Sequence, residues 1–599
     1  GTEPLTGARL VVDTGDGLTG VAPLPWLLPE SLHIANVRLR GPAPATEGER
    51  TATIRVLDAS GRELGRTTQT LDIRRPDQRH RRTFTSAIDG SAQYYAVTPA
   101  RPEADDADPP GLVLTLHGAS VPAMNQARAY GHKPWCHIVA PTNRRPFGFD
   151  WEDWGRLDAH EVLADAAARY PHDPRRRWLT GHSKGGQGTW HIGVTAPDQF
   201  AAIGPSAGWI SFASYAGLDE RRDRDGIEGI LARAQAQHDT LGYVRNLETL
   251  GIYILHGDAD DNVPVDQARR MRRELAEFHT NFVYYEQPGA GHWWGNQCVD
   301  WPRLFDYFAY HARPAPDAAA AVRFTTPPPA VAATHHWAPI FGQPRPLDWS
   351  TIDLRYDLED TTIRGTTENV DRLRLDLDPL ADDEQRPTTV ELDGDAVDIS
   401  LLSSGTAWLV KDPEQGWQAA PRPSPDLKGP HRYGCFKDAF RHDPVLVYGT
   451  RGTDDETAWA RDKARFDSET FWYRGNGGLE IIPDHAFNPD DYPDRSVIIY
   501  GNADTNQLWR TFLADHPVAF RRVSARIGEQ VIPHEHLGAL VILPRPDSDT
   551  ASLGLVTGTT PRGLRTTTTL PYFVSGVAYP DLFIIDDTTW TEGDDGIRG

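Results

Sequence analysis

Three short stretches of the sequence bring together side chain types that nucleophilic catalysis requires. Gly181-His182-Ser183-Lys184-Gly185 fits the pattern Gly-x-Ser-x-Gly, and so does Gly204-Pro205-Ser206-Ala207-Gly208. The pattern alone says little in a chain with 53 glycines; its surroundings decide. A nucleophile elbow needs a strand, a strained turn and then a helix, with glycine where a side chain would strike neighbouring backbone. Residues 177–180 read as a strand and residues 186–195 as a helix, so Ser183 has all three parts. Ser206 ends a strand but leads into Trp209-Ile210-Ser211-Phe212, with no helix start. Ser183 is the candidate nucleophile.

A serine hydroxyl is a poor nucleophile near neutral pH and needs a base, itself oriented by an acid. In folds built around such an elbow the chain order is serine, acid, histidine. After Ser183 comes a strand at 252–255 and the loop His256-Gly257-Asp258-Ala259-Asp260-Asp261-Asn262-Val263-Pro264. A strand at 282–286 then leads to Pro288-Gly289-Ala290-Gly291-His292-Trp293. Each group follows a successive strand at its C-terminal end, where parallel sheets place their sites. His292 is the candidate base, and the acid is one of Asp258, Asp260 and Asp261. The N–H of Lys184, just after the nucleophile, is a candidate donor to the oxyanion formed during acyl transfer.

Residues of about 90 to 312 resemble an α/β-hydrolase domain of the prolyl oligopeptidase type, and also the bacterial feruloyl and acetyl xylan esterases. The resemblance is carried by Leu116-His117-Gly118, Gly181-His182-Ser183-Lys184-Gly185-Gly186, the loop 256–264 and Gly289-Ala290-Gly291-His292. It implies that Asp260 is the acid, with Asp258 and Asp261 as competing assignments, and that the N–H of Ala119 is the second oxyanion donor. Two features depart from the peptidases, which carry a tyrosine hydroxyl near the loop that here reads Gly118-Ala119-Ser120. Fewer than about 100 residues precede the catalytic segment, too few for a β-propeller. The expectation is therefore a serine hydrolase working through an acyl-enzyme on carboxylic esters, such as acylated glycans or aryl esters. A prolyl oligopeptidase-like peptidase is the alternative, and a non-catalytic polysaccharide- or partner-binding protein the second. No metal and no cofactor is expected.

Other residues invite a reading as substrate contacts. Trp151 and Trp154, in the aromatic and acidic run 147–154, and Trp293 and Trp294, beside the histidine, suit a sugar or an aryl ring; the competing reading is that they cap the core. The Lys184 side chain is expected to be solvated, with attraction of anionic acyl groups as the alternative. Residues 215–247 interrupt the strand–helix alternation, as a lid or as a solvated helical insertion. Loops at 449–453 and 501–506 are shaped to offer N–H groups to an anion, though structural turns explain them as well. His534-Glu535-His536 lacks a third metal ligand.

The elements that must position these groups are legible along the chain. Residues 1–88 alternate apolar and polar side chains in short runs (8–13, 33–39, 51–57, 68–73), as a small all-β, sandwich-like module does. Residues 89–318 alternate strands (112–116, 137–140, 177–180, 201–203, 252–255, 282–286) with helices (158–170, from 185 onward, 265–279), which implies βαβ units and a mostly parallel sheet with helices on both faces. A linker at 313–321 leads into a second β-rich module over 319–440, with strands at 351–358, 373–377 and 390–402. A C-terminal α/β domain over 441–599 has strands at 445–448, 497–500, 540–543 and 582–585. The fold class is thus multidomain, a central α/β-hydrolase with flanking modules.

Composition bounds the rest. The 599 residues carry 84 acidic and 61 basic side chains, a net charge of −23, which repels phosphate backbones and argues against nucleic acid as a partner. Three scattered cysteines make neither a disulfide framework nor a zinc site. No apolar run reaches the roughly 18 residues that span a bilayer. The expected partner is a small-molecule, glycan or peptide substrate, and the oligomeric state is left open. No leader is visible in this numbering, and a secreted or periplasmic location is expected over a cytoplasmic one.

Overall fold

The computed structural model describes residues 3–102, 108–218, 224–315, 318–380, 386–400, 405–432 and 434–599. The chain folds as two compact units, Ala96–Gly434 and a discontinuous one of Gly1–Tyr95 with Cys435–Gly599.

The unit Ala96–Gly434 is built on a sheet of β1 (Ala92–Thr98), β2 (Gly111–Leu116), β3 (Cys136–Ala140), β4 (Arg177–His182), β5 (Ala202–Ser206), β6 (Gly251–Gly257) and β7 (Phe282–Gln287). Their order is β7-β6-β5-β4-β2-β3-β1. Pairing is parallel from β7 through to β3, and β1 joins antiparallel, with Ala96 opposite Ala140. Every residue of β2, β3, β5 and β6 is buried, as expected for central parallel strands covered on both faces. Two adjacent residues of β5 show the covering. A Cβ on Gly193 of the helix Lys184–Thr195 would sit 2.8 Å from Ile203, and a Cβ on Gly204 would sit 2.5 Å from Leu304 of the helix Pro302–Tyr310. Successive strand residues point to opposite faces, so the two helices lie on opposite sides of the sheet. The second helix closes a core of Val113, Trp178, Leu255, Leu304, Phe305 and Phe308.

The same unit continues into two further sheets. Ala321–Thr326, Ser350–Asp357, Thr362–Glu368, Thr389–Leu392 and Asp395–Asp398 form one, and Ile340–Gly342, Arg372–Asp376, Thr406–Asp412 and Gly416–Ala420 the other. Burial alternates along Ser350–Asp357 with period two, the mark of a strand with one face inward. Of the strand expected over 390–402, residues 401 and 402 lie outside the described residues, and the rest forms a hairpin instead. Asn246 ties this module to the sheet unit: its Nδ2 donates to the carbonyls of Val194 and Thr325, 2.9 Å each.

The other unit holds a four-stranded antiparallel sheet, Thr19–Pro23, Arg9–Asp13, Gly48–Leu57 and Glu63–Ile73. Its second sheet runs Glu480–Pro483, Val445–Tyr448, Val497–Tyr500, Ser552–Gly558, Leu537–Pro544 and Leu582–Asp586. The first four strands pair in parallel, and Leu537–Pro544 runs antiparallel to both of its neighbours. Residues 33–39 form no strand, contrary to expectation. Ile34 packs instead against the backbone of Gly478, where a Cβ would lie 3.2 Å from it.

Candidate active site

Ser183 stands between β4 and the helix Lys184–Thr195 with φ 59° and ψ −122°, a conformation that costs a non-glycine residue roughly 1–3 kcal/mol. Its neighbours hold it there. A Cβ on Gly185 would strike the carbonyl of Leu116 in β2, and one on Gly186 the carbonyl of Ser206 in β5. Ser183 N–H donates to Ser206 O at 2.9 Å, and Ser183 O accepts from the N–H groups of Gly186 and Gln187 at 2.8 and 3.0 Å. The rival Ser206 is buried and its hydroxyl donates to Cys298 O at 2.6 Å.

The loop after β6 delivers Asp260, and the loop after β7 delivers His292. His292 Nδ1 lies 2.8 Å from Asp260 Oδ2 and 3.0 Å from Oδ1. Oδ1 also accepts from the N–H groups of Asn262 and Val263, both at 2.9 Å. His256 Nε2 is 3.2 Å from Oδ2 and 3.0 Å from Val263 O; both are acceptors, so Nε2 carries the hydrogen. Burial alone would raise the Asp260 carboxyl, but the hydrogen bonds from His256, His292 and the two N–H groups outweigh it and hold the group well below the usual carboxylate range. An ionised carboxylate only accepts, so His292 Nδ1 bears the proton and Nε2 keeps its lone pair. The competing carboxylates are engaged elsewhere or turned away: Asp258 is exposed and accepts from Gly289 N at 2.6 Å, and Asp261 is exposed and makes no hydrogen bond to His292 among the described residues.

Two histidines that sequence reasoning passed over complete the frame. His182 Nε2 donates to His292 O at 2.8 Å, with the two rings 4.8 Å apart. Burial pulls His182 down to about 3, so it is a neutral strut at working pH. Nothing in the loop sequence sets His256 apart from its neighbours. The first residue of that loop points back into it and grips the carboxylate.

Ser183, His182 and His292 line one cavity of about 610 Å³, together with Gly118, Ala119 and Trp293. A Cβ on Gly118 would lie 3.5 Å from Ser183 Cβ and 4.0 Å from its Oγ, which fixes the loop after β2 beside the hydroxyl. Neither Ala119 N–H nor Lys184 N–H has an acceptor among the described residues. Of the four tryptophans, Trp293 lines the cavity and is 53% exposed. Trp294 packs on the core beneath with Val299 and Phe305. Trp151 and Trp154 are buried: the Trp151 indole N–H donates to His117 O at 3.1 Å, and Trp154 packs on Phe149. Those two support the loops and do not line the cavity.

The Lys184 side chain is neither solvated nor turned to substrate. Its buried Nζ donates to the carbonyls of Phe147 and Pro146 at 2.8 and 3.0 Å, and Asp150 is 3.5 Å away. Burial lowers its pKa. These bonds stitch a loop in which Asn143, Arg144, Asp150 and Trp151 all have positive φ, a concentration of strain that needs such a fastener. No described residue of 215–247 lines the cavity; that segment includes the helix Gly226–Gln235, and its residues 219–223 lie outside the described residues.

In the other unit, the loop 449–453 opens the helix Asp454–Gly475, whose N-terminus is occupied by its own capping box of Thr453 and Glu456. Arg522 pairs with Glu456 through two contacts of 2.9 Å, and Asp454 and Asp455 add negative charge to the same turn. That arrangement disfavours an anion there.

A strained serine at a strand–helix turn of a mostly parallel sheet, with an Asp–His pair on the next loops, defines the α/β-hydrolase class. Residues 144–313 match the prolyl oligopeptidase family and form a domain of it. An uncharacterized secreted protein of Arthroderma benhamiae is 28% identical over 331 residues, 51% of this chain and 34% of that protein. The uncharacterized peptidase YuxL of Bacillus subtilis is 29% identical over 222 residues, 33% of each chain. The chain thus spans about a third of the length of these curated relatives. Among solved structures, a thermostable esterase is 18% identical, with 52% of this chain and 93% of that one covered and a TM-score of 0.31.

Proposed function

We propose that the protein is a serine hydrolase that cleaves carboxylic esters through an acyl-enzyme. The observation that carries this reading is the strained Ser183 in the same cavity lining as His292, whose Nδ1 is held by the ionised Asp260. In this reading His292 Nε2 takes the Ser183 proton as the hydroxyl attacks the acyl carbonyl, and returns it to the leaving alcohol. Asp260 keeps the imidazole in the tautomer that leaves Nε2 free and stabilises the imidazolium. The N–H groups of Lys184 and Ala119, without acceptors among the described residues, receive the oxyanion; each such donor is worth about 10² to 10³ in rate. Water, activated by the same histidine, then releases the acyl group.

Ester over amide is supported by the loop Gly118-Ala119-Ser120, which brings a backbone N–H and no tyrosine hydroxyl to the oxyanion. A peptidase is the second reading, favoured by the family of residues 144–313 and by the name of the Bacillus subtilis relative. Turnover of short 4-nitrophenyl esters compared with prolyl-peptide anilides separates them: faster ester cleavage is expected, and faster anilide cleavage selects the peptidase. A protein inert to both and to fluorophosphonates is no hydrolase. Secretion is proposed with the activity, in keeping with the name of the fungal relative; among the described residues no helix is long and apolar enough to cross a membrane.

A further inference from the structure

We propose that the cavity above Ser183 selects esters that carry an ionised carboxylate, and that Arg128 is the residue that selects them; this rests on the hydrolase reading. The protein has 84 acidic side chains against 61 basic, yet among the described residues no aspartate or glutamate lines the cavity and one arginine does. Arg128 ends the helix Ala123–Arg128 and is exposed. It makes no ion pair or hydrogen bond among the described residues, whereas Lys133, five residues on, is held by Asp300 at 2.7 Å. Asn125, Asn262 and Asn296 line the same cavity, and their side-chain amides also lack partners among the described residues.

A guanidinium without a partner among the described residues, in a cavity that amide side chains also line, is a receptor for a planar anion: its fork matches a carboxylate through two parallel N–H···O bonds. Trp293 adds an aromatic wall for the uncharged part of the ligand. The same arginine disfavours substrates with a cationic group at that end, by repulsion that no acid of the described lining offsets. The cavity volume, about 610 Å³, lies in the range of small-molecule sites.

Two matched pairs of esters test this on the full chain. The acyl arm compares 4-nitrophenyl hydrogen adipate with 4-nitrophenyl hexanoate; the alcohol arm compares 3-acetoxybenzoate with 3-acetoxybenzamide. The wild type is expected to prefer the anionic member by about tenfold in kcat/KM in at least one arm, through KM. Arg128→Gln is expected to bring that ratio near one, and Arg128→Lys to keep part of it. The arm that shows the preference tells which half of the ester carries the charge. A wild-type ratio near or below one in both arms, or a ratio that survives Arg128→Gln, overturns the proposal. Failure of the hydrolase reading is distinct: none of the four esters is turned over and Ser183 takes no fluorophosphonate, which removes both.

Discussion

At the scale of single residues, Asp260 is the most connected group of the site. Its two oxygens collect a hydrogen bond from His292, one from His256 and two from backbone N–H groups. Replacing it by asparagine keeps the shape but lets an amide N–H face His292 Nδ1, which favours the wrong tautomer. Asp260→Asn is therefore expected to lower kcat by about 10³ to 10⁴. Asp258→Asn and Asp261→Asn are expected to stay within a few-fold, since neither carboxylate is bonded to His292. Steady-state kinetics on one activated ester reads all three, and an equal loss at 258 or 261 would contradict the assignment. The sequence yielded the three carboxylates; choosing among them needed the resemblance, because spacing along a loop does not say which side chain turns inward.

At the scale of elements, the elbow is held by contacts that forbid side chains. Gly185→Ala would drive a methyl group into the Leu116 carbonyl of β2, with His117 O 3.1 Å away, and backbone of a central strand cannot yield. We expect it to cost about 3 kcal/mol or more, or to prevent folding. Gly289→Ala is the control: that glycine has φ +66° with nothing within 4 Å of a Cβ, so only the left-handed backbone, about 1–2 kcal/mol, is lost. Denaturant midpoints compare the two, and equal losses would mean that the elbow is not sterically locked. Continuous apolar runs bounded by glycine made the parallel strands readable. The expected 112–116 is observed as Gly111–Leu116, and 282–286 as Phe282–Gln287. Ser552–Gly558 escaped notice because its glycine, serine and threonine residues dilute the run, although every residue of it is buried. Trp151 and Trp154 misled for the opposite reason: aromatics beside a catalytic loop look the same whether they face ligand or core, and here they support the loop from beneath.

At the scale of the whole molecule, buried histidines set the response to acid. In the unit Ala96–Gly434, burial lowers His117 to about 4, His182 and His335 to about 3, and His191 well below its ordinary value. Below about pH 6.5 the unfolded chain takes up protons that these folded histidines refuse. Stability is therefore lost as pH falls from about 6.5 toward 4, by up to about 1.4 kcal/mol per pH unit for each. Asp158 acts in the other direction: burial raises it to about 6, so the folded state binds one proton there before the unfolded state does. Burial raises Glu152 in the same direction and lowers His160 to about 3, so the lowered histidines still outnumber the two raised carboxyls. The melting temperature is expected to drop between pH 7 and pH 5 in calorimetry, and a rise over that interval would contradict the balance. That the first 95 residues share a unit with residues 435–599 is invisible to any reading along the chain, since no local pattern marks a partner so distant in sequence.

The hydrolase reading itself is tested most directly by locating a covalent adduct. Wild-type protein treated with a fluorophosphonate and digested for mass spectrometry should carry one adduct, on Ser183. The labelling rate should fall by about 10³-fold or more in His292→Ala. An adduct on another residue, or labelling of Ser183 at an unchanged rate in His292→Ala, would contradict the account.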